Sequence, residues 1–213
     1  MRIAVVLAAV AAVLGAAVIG AAVAPTPVEH RVEVRAPRLA AGIKVDYRVD
    51  GVSRIFKLQS DLAIGPGTLA AEIDLLTGTI TGDLTLPPSD GYFIAFGFVP
   101  TTARTELVPV GKTTGTIKEG RVKANAKVVI KLGDVAVNGQ PLDVGPACQT
   151  TEPASIDLEG PFQLDKMQLT GVYSIPPFAG CRGREPLDPL FTGLISGPGN
   201  TIDLTLTLLP TVP

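Results

Sequence analysis

An all-β domain, an antiparallel sandwich or partly closed barrel of about ten to twelve strands behind a helical signal segment, is the fold class this sequence predicts. Three observations carry it. Apolar and polar residues alternate with a period of two in run after run, as in Val45, Tyr47 and Val49 against Lys44, Asp46 and Arg48. The runs are short and nearly every gap between them holds Gly, Pro, Asn or Asp, from a supply of 23 Gly and 19 Pro. After the leader, no window free of Gly or Pro sustains apolar residues at the helical spacing i, i+3, i+4, i+7.

The elements follow in order. Residues 1–24 carry one charge, Arg2, and an apolar run from Ile3 to Ala24, which reads as a signal peptide or an N-terminal anchor. Ala22-Val23-Ala24 is an A-x-A cleavage site, although cutting there leaves Pro25 first; cutting after Ala22 avoids this. Residues 25–41 hold Pro25, Pro27 and Pro37 among charged residues and read as an exposed tether, able to pair as an edge strand through Val28, Val32 and Val34. Residues 42–213 form the single β domain. Asp50-Gly51 predicts a hairpin between a strand ending at Val49 and one over Ser53 to Leu58. Strands are then expected over 69–76, 79–86, 92–99, 105–110, 113–118, 122–132, 135–137, 142–144, 155–158, 168–175 and 201–208, with one helical turn around Pro186 to Leu194. Asn138-Gly139 is the sharpest turn signal, since both residues tolerate the positive φ of a type I′ turn.

The two cysteines, Cys148 and Cys181, agree with export. In an oxidising compartment they are expected to form one disulfide, because neither a C-x-x-C spacing nor a companion histidine points to metal or redox chemistry. Formal net charge is −2, with residues 25–131 holding 14 Lys and Arg against 11 Asp and Glu, and residues 132–213 holding 3 against 9. Neither half suits a nucleic-acid partner.

Two features are candidate sites. On the strand from Arg121, one face carries Arg121, Lys123, Lys127 and Lys131, an anion-binding stripe for an envelope polymer or lipid headgroups if it is more than a solvated outer face. The segment Tyr92 to Val99 holds four of the chain's ten aromatic residues. With both faces apolar it reads as a central strand, and Phe93, Phe96 and Phe98 are candidate walls for an apolar, lipid-like ligand in the domain interior, or simply core.

Catalytic signatures are weak. The single histidine, His30, sits in the tether; S-x-x-K is absent; Gly193 to Gly197 is not a nucleophile elbow; and Gly111-Lys112-Thr113 has Glu106 where a phosphate loop needs Gly. Carboxylate pairs at Asp134 with Asp143, Asp157 with Glu159, and Glu185 with Asp188 leave room for an enzyme acting on an envelope polymer. No cofactor and no metal site is expected.

The leader, together with Gly145-Pro146-Ala147-Cys148-Gln149-Thr150, Tyr173-Ser174-Ile175-Pro176-Pro177-Phe178, Gly180-Cys181 and Ser196-Gly197-Pro198-Gly199-Asn200, resembles exported β-rich proteins of actinobacteria. The resemblance covers mainly the last 80 residues. It implies export and the disulfide, and it brings no activity. The sequence therefore predicts an exported, non-catalytic binding or structural protein of the cell envelope, touching a membrane only through an uncleaved leader. A carrier of an apolar ligand is the first alternative, and a carboxylate enzyme the second.

Overall fold

The computed structural model describes residues 42–210. The expectations for the signal segment, its cleavage, the tether and His30 lie outside the described residues. The rest is nearly all β. Thirteen strands run in chain order: β1 (Gly42–Ile55), β2 (Ser60–Asp74), β3 (Thr79–Thr85), β4 (Ser89–Ala95), β5 (Val99–Pro109), β6 (Thr113–Lys118), β7 (Arg121–Val137), β8 (Gln140–Pro141), β9 (Gln149–Thr150), β10 (Ala154–Pro161), β11 (Lys166–Ile175), β12 (Phe178–Ala179) and β13 (Gly197–Leu208), with one helix, α1 (Asp188–Ile195), before the last strand.

Eight of these strands close a barrel in the order β1-β2-β3-β6-β7-β10-β11-β13, with β13 returning to β1. Every pairing is antiparallel. The partly closed barrel of the sequence reading is thus a closed one, with extra strands outside. The 17-residue β7 is the longest strand and works on two levels: its first half pairs with β6, and its second half pairs with β5 along the same edge. The β4–β5 hairpin therefore takes over that side where β6 ends, and Ser60 Oγ of β2 donates to the Tyr92 carbonyl at 3.0 Å across the remaining gap.

Alternation decides what faces inward. Along β7, Val122, Ala126, Val128, Ile130 and Leu132 are buried while Arg121, Lys123 and Lys127 are exposed. The same period places Tyr47 and Val49 of β1, Ile73 of β2, Leu158 of β10, Leu169 of β11 and Leu204 and Leu206 of β13 in one core. An apolar interior under an outer face of Thr, Asp and Lys is the reverse of a transmembrane barrel, which shows its apolar band to lipid. No helix among the described residues is long and apolar enough to cross a membrane.

Closing so small a barrel over large side chains needs inward positions without a side chain. Gly51, Gly82, Gly115, Gly160 and Gly171 all fall on the inward register. A Cβ at Gly51 would fall on the Asp203 carbonyl oxygen, and one at Gly171 on that of Asp157, so at these points neighbouring backbones approach more closely than any other residue permits.

Two sequence expectations are corrected here. Asp50-Gly51 is no hairpin: β1 runs straight through it, with a register shift opposite Gly65-Pro66, and the turn comes later at 56–59. Asp50 is spent on Arg48, whose Nε donates to it at 2.7 Å, and Gly51 serves the barrel bend. The segment 92–99 is not a central strand either. β4 stops at Ala95, residues 96–98 form a turn with Phe96 at φ 54°, and β5 begins at Val99. By contrast Asn138 and Gly139, at φ 48° and 76°, form the expected turn, which joins β7 to β8.

Candidate functional site

One end of the barrel, where β1 finishes at Ile55, is closed by a cover. Cys148 and Cys181, both buried, form the disulfide with Cα atoms 4.0 Å apart, strapping the segment before β9 to the one before α1. Cys181 N donates to Asp188 Oδ1 at 2.7 Å in the first turn of α1, and Thr192 Oγ1 accepts from Phe178 N at 2.9 Å. Ser196 Oγ donates to the Pro176 carbonyl at 2.7 Å. These bonds hold Phe178, Phe191 and Ile195 over the barrel mouth, with the Phe178 and Phe191 rings 6.4 Å apart. Asn200, fully buried, knits the same end together: its amide nitrogen donates to the carbonyls of Gly197 and Tyr173, and its Oδ1 accepts from Phe56 N at 3.0 Å.

Behind the cover the interior is filled. Two apolar voids remain, about 60 Å³ near Phe93, Tyr173 and Phe178 and about 50 Å³ near Tyr47, Ile73 and Leu206. An apolar void of about 150 Å³ takes a single benzene. Ser53 and Tyr173 supply a polar pair inside, Oγ to OH at 2.8 Å, while Ser53 also donates to the Thr201 carbonyl at 3.2 Å. Burial pushes the Tyr173 phenol above its ordinary value, an effect that the Ser53 hydrogen bond partly offsets. Tyr47 is raised as well, first by burial and then by the charge of Asp165, and its OH donates to the Leu164 carbonyl at 3.0 Å.

The expected wall of phenylalanines is dispersed. Phe93 does border the upper void, but Phe96 and Phe98 are 63% and 77% exposed, because the chain turns at 96–98 instead of continuing into the interior.

The cation stripe is present along the outside of β7, but its charges have neighbours. Arg121 Nη2 lies 3.9 Å from Glu159 Oε1, and Lys123 is the register partner of Glu159. Lys131 stands opposite Glu106 of β5, and Lys127 opposite Ser155. Between Lys123 and Lys127, Asn125 donates to Asp157 Oδ1 at 2.7 Å and to Ser155 Oγ at 2.8 Å.

Sequence reasoning missed an open saddle of about 1020 Å³ across the outer faces of β6, β7, β10, β11, β13 and β1. Hydroxyls from Thr114, Thr116, Thr170 and Thr201 line it together with Asp157, Glu159, Asp203, Lys123 and Arg54, and Val172, 66% exposed, stands within it. The carboxylates are engaged locally, Asp203 accepting from Gln168 Nε2 at 3.1 Å as Asp157 does from Asn125. Alternating threonines in strands that lie far apart in the chain were the available signal. The other carboxylate pairs are likewise tied down or apart from it: Asp143 accepts from Gly145 N at 2.9 Å, Asp188 from Cys181 N, and Asp134 lies with Asp143 in a shallow depression beside Lys131. Among the described residues, no three His, Cys, Asp or Glu side chains gather as a metal site.

The fold and surface define an eight-stranded antiparallel barrel with a side-chain-filled interior, a strapped cover at one end and a polar saddle on its flank. Comparison with known proteins yields no match, whether to family models, curated proteins or solved structures.

Proposed function

We propose that this chain is an exported, non-catalytic binding protein of the cell envelope that holds its partner on the outer flank of the barrel. The observation that carries this reading is the filled interior: with voids of only about 60 and 50 Å³, contact with anything larger than a solvent molecule or two falls to the outside. Export rests on the leader, and the buried disulfide is consistent with an oxidising, extracytoplasmic compartment.

The saddle favours a polar polymer that lies across strands, such as an envelope glycan. Threonine hydroxyls, amides and charges of both signs offer donors and acceptors to sugar hydroxyls, and Val52 and Val172, on either side of β13, give apolar contacts for the faces of the rings. A pure polyanion suits it less, because Glu159 and Glu106 sit against the cations of β7.

The test is co-sedimentation of the full chain with insoluble cell-wall glycan. Val172→Arg, which fills the saddle from an exposed position, is expected to cut retention at least tenfold, while Lys127→Ala with Lys131→Ala leaves it unchanged and added salt has little effect. If the double lysine variant and salt abolish retention and Val172→Arg does not, the partner is a polyanion on the stripe.

A further inference from the structure

The exposed aromatic side chains of the described residues are gathered at one end. Phe56, 56% exposed, sits in the β1–β2 turn, and Phe96 and Phe98 sit in the β4–β5 turn, with Tyr92 and Ile94 exposed on the strand leading into it. The two turns are neighbours: Ser60 Oγ donates to the Tyr92 carbonyl, and Lys57 and Gln59 border the same surface depression as Tyr92, Ile94 and Gly97. Phe96 takes φ 54°, a backbone conformation that bulky residues seldom adopt, in a turn where a residue such as Asn would sit at less cost.

We propose that this aromatic tip seats the barrel on a lipid bilayer surface. Its shape suits that partner. The side chains stand on turns and on an outer strand face beside them, so they can enter a soft apolar phase without a matching cleft, and Phe and Tyr are residues that settle at the boundary between headgroups and acyl chains. Its charge suits it also. Segments 56–59 and 91–99 contain one charged residue, Lys57, a cation. The carboxylates that border them, Asp61 and Asp90, are held by Arg54 at 3.1 Å and by Arg104 at 3.7 Å. The opposite end of the barrel exposes Leu75 and Leu76, but there Asp74, Lys118, Glu119 and Arg121 crowd the turns and both signs are present. Seated by the tip, the barrel keeps its saddle on the flank and open to solvent.

The chain has no tryptophan, which makes the test local. Full-length Phe98→Trp and Leu76→Trp are each mixed with vesicles of phosphatidylcholine and phosphatidylglycerol, with and without bromine-labelled acyl chains. Indole emission of the Phe98→Trp protein is expected to shift to the blue and to be quenched by the bromolipid, while that of the Leu76→Trp protein stays as in buffer, whatever the leader does. Adding Phe56→Ser and Phe96→Ser to the Phe98→Trp protein should weaken its partitioning by about tenfold for each phenylalanine removed. Both positions are exposed, so the fold survives the change, and retained strand content in circular dichroism checks it. Three results would overturn the proposal: the Phe98→Trp indole stays in water, the Leu76→Trp indole enters the bilayer in its place, or the Phe98→Trp emission shifts to the blue without vesicles as protein concentration rises. The last would make the tip a contact between copies.

Discussion

Removing either half of the buried Ser53–Tyr173 pair should destabilise the barrel, but unequally. Ser53 Oγ gives its hydrogen to the Thr201 carbonyl at 3.2 Å and receives that of Tyr173 at 2.8 Å. Tyr173→Phe therefore leaves no donor without a partner, and the cost is that of one net hydrogen bond, about 0.5–1.5 kcal/mol. Ser53→Ala strands the phenolic hydrogen of Tyr173 in an apolar void and costs about 1–3 kcal/mol. With a urea dependence of about 2 kcal/mol per molar, the midpoints fall by roughly 0.3–0.7 M and 0.5–1.5 M. The pH dependence separates them further. A folded-state pKa raised above the ordinary value near 10 adds stability that is fully present below that value and is lost as pH rises through the folded pKa. Tyr173→Phe deletes this contribution, so the gap between parent and variant narrows above about pH 10. Urea unfolding at neutral pH and at a series of alkaline values decides the matter. A constant gap between parent and Tyr173→Phe across the alkaline range would refute the raised Tyr173 pKa, and Tyr173→Phe costing more than Ser53→Ala would refute the assigned donor directions.

Replacing both cysteines by serine should cost about 3–4 kcal/mol, the loop entropy of cross-linking residues 33 apart, read from urea midpoints of parent and variant. Asp74 is held below the usual carboxylate range by Thr77, through its side chain and then the backbone bonds of Leu76 and Thr77, so its contribution is present above the unfolded pKa and lost as pH falls through the folded one. Asp74→Ala should accordingly lower the melting temperature at neutral pH and make no difference in acid below the folded value. Gly171→Ala should destabilise by about 1–3 kcal/mol, since the new methyl group meets the Asp157 carbonyl and must push β10 from β11; thermal unfolding measures it.

Where local pattern and tertiary position agree, the sequence was easy to read. The alternation over 121–132 placed every side chain on its observed face, Asn138-Gly139 gave its turn, and the two cysteines gave the disulfide. Errors arose where one residue type has two uses. Gly after Asp signals a hairpin, but Gly51 is needed for closeness to β13, and only the closed barrel shows which use applies. Phe96 and Phe98 look like core because Phe usually is, yet the turn at 96–98 turns them out to solvent, and Gly97 at φ 79° was the one local hint of it. The saddle was invisible for another reason: its residues come from six strands spread over the whole domain, so no window of sequence contains it.

The filled interior and the saddle have a common cause. At the inward glycines the strands approach their neighbours with no side chain between, Gly51 against β13 and Gly171 against β10, and Gly171 borders the interior and the flank alike. Inside, the missing side chains leave room for Leu204 of β13 and Leu158 of β10 to lie over the backbone of the adjacent strand at Gly51 and Gly171. Outside, Gly115 and Gly171 are among the residues that line the saddle. A carrier and a surface binder are therefore opposite outcomes of one design variable, the size of the residues at the inward corners. Larger side chains at those positions would spread the strands, open the interior and flatten the flank.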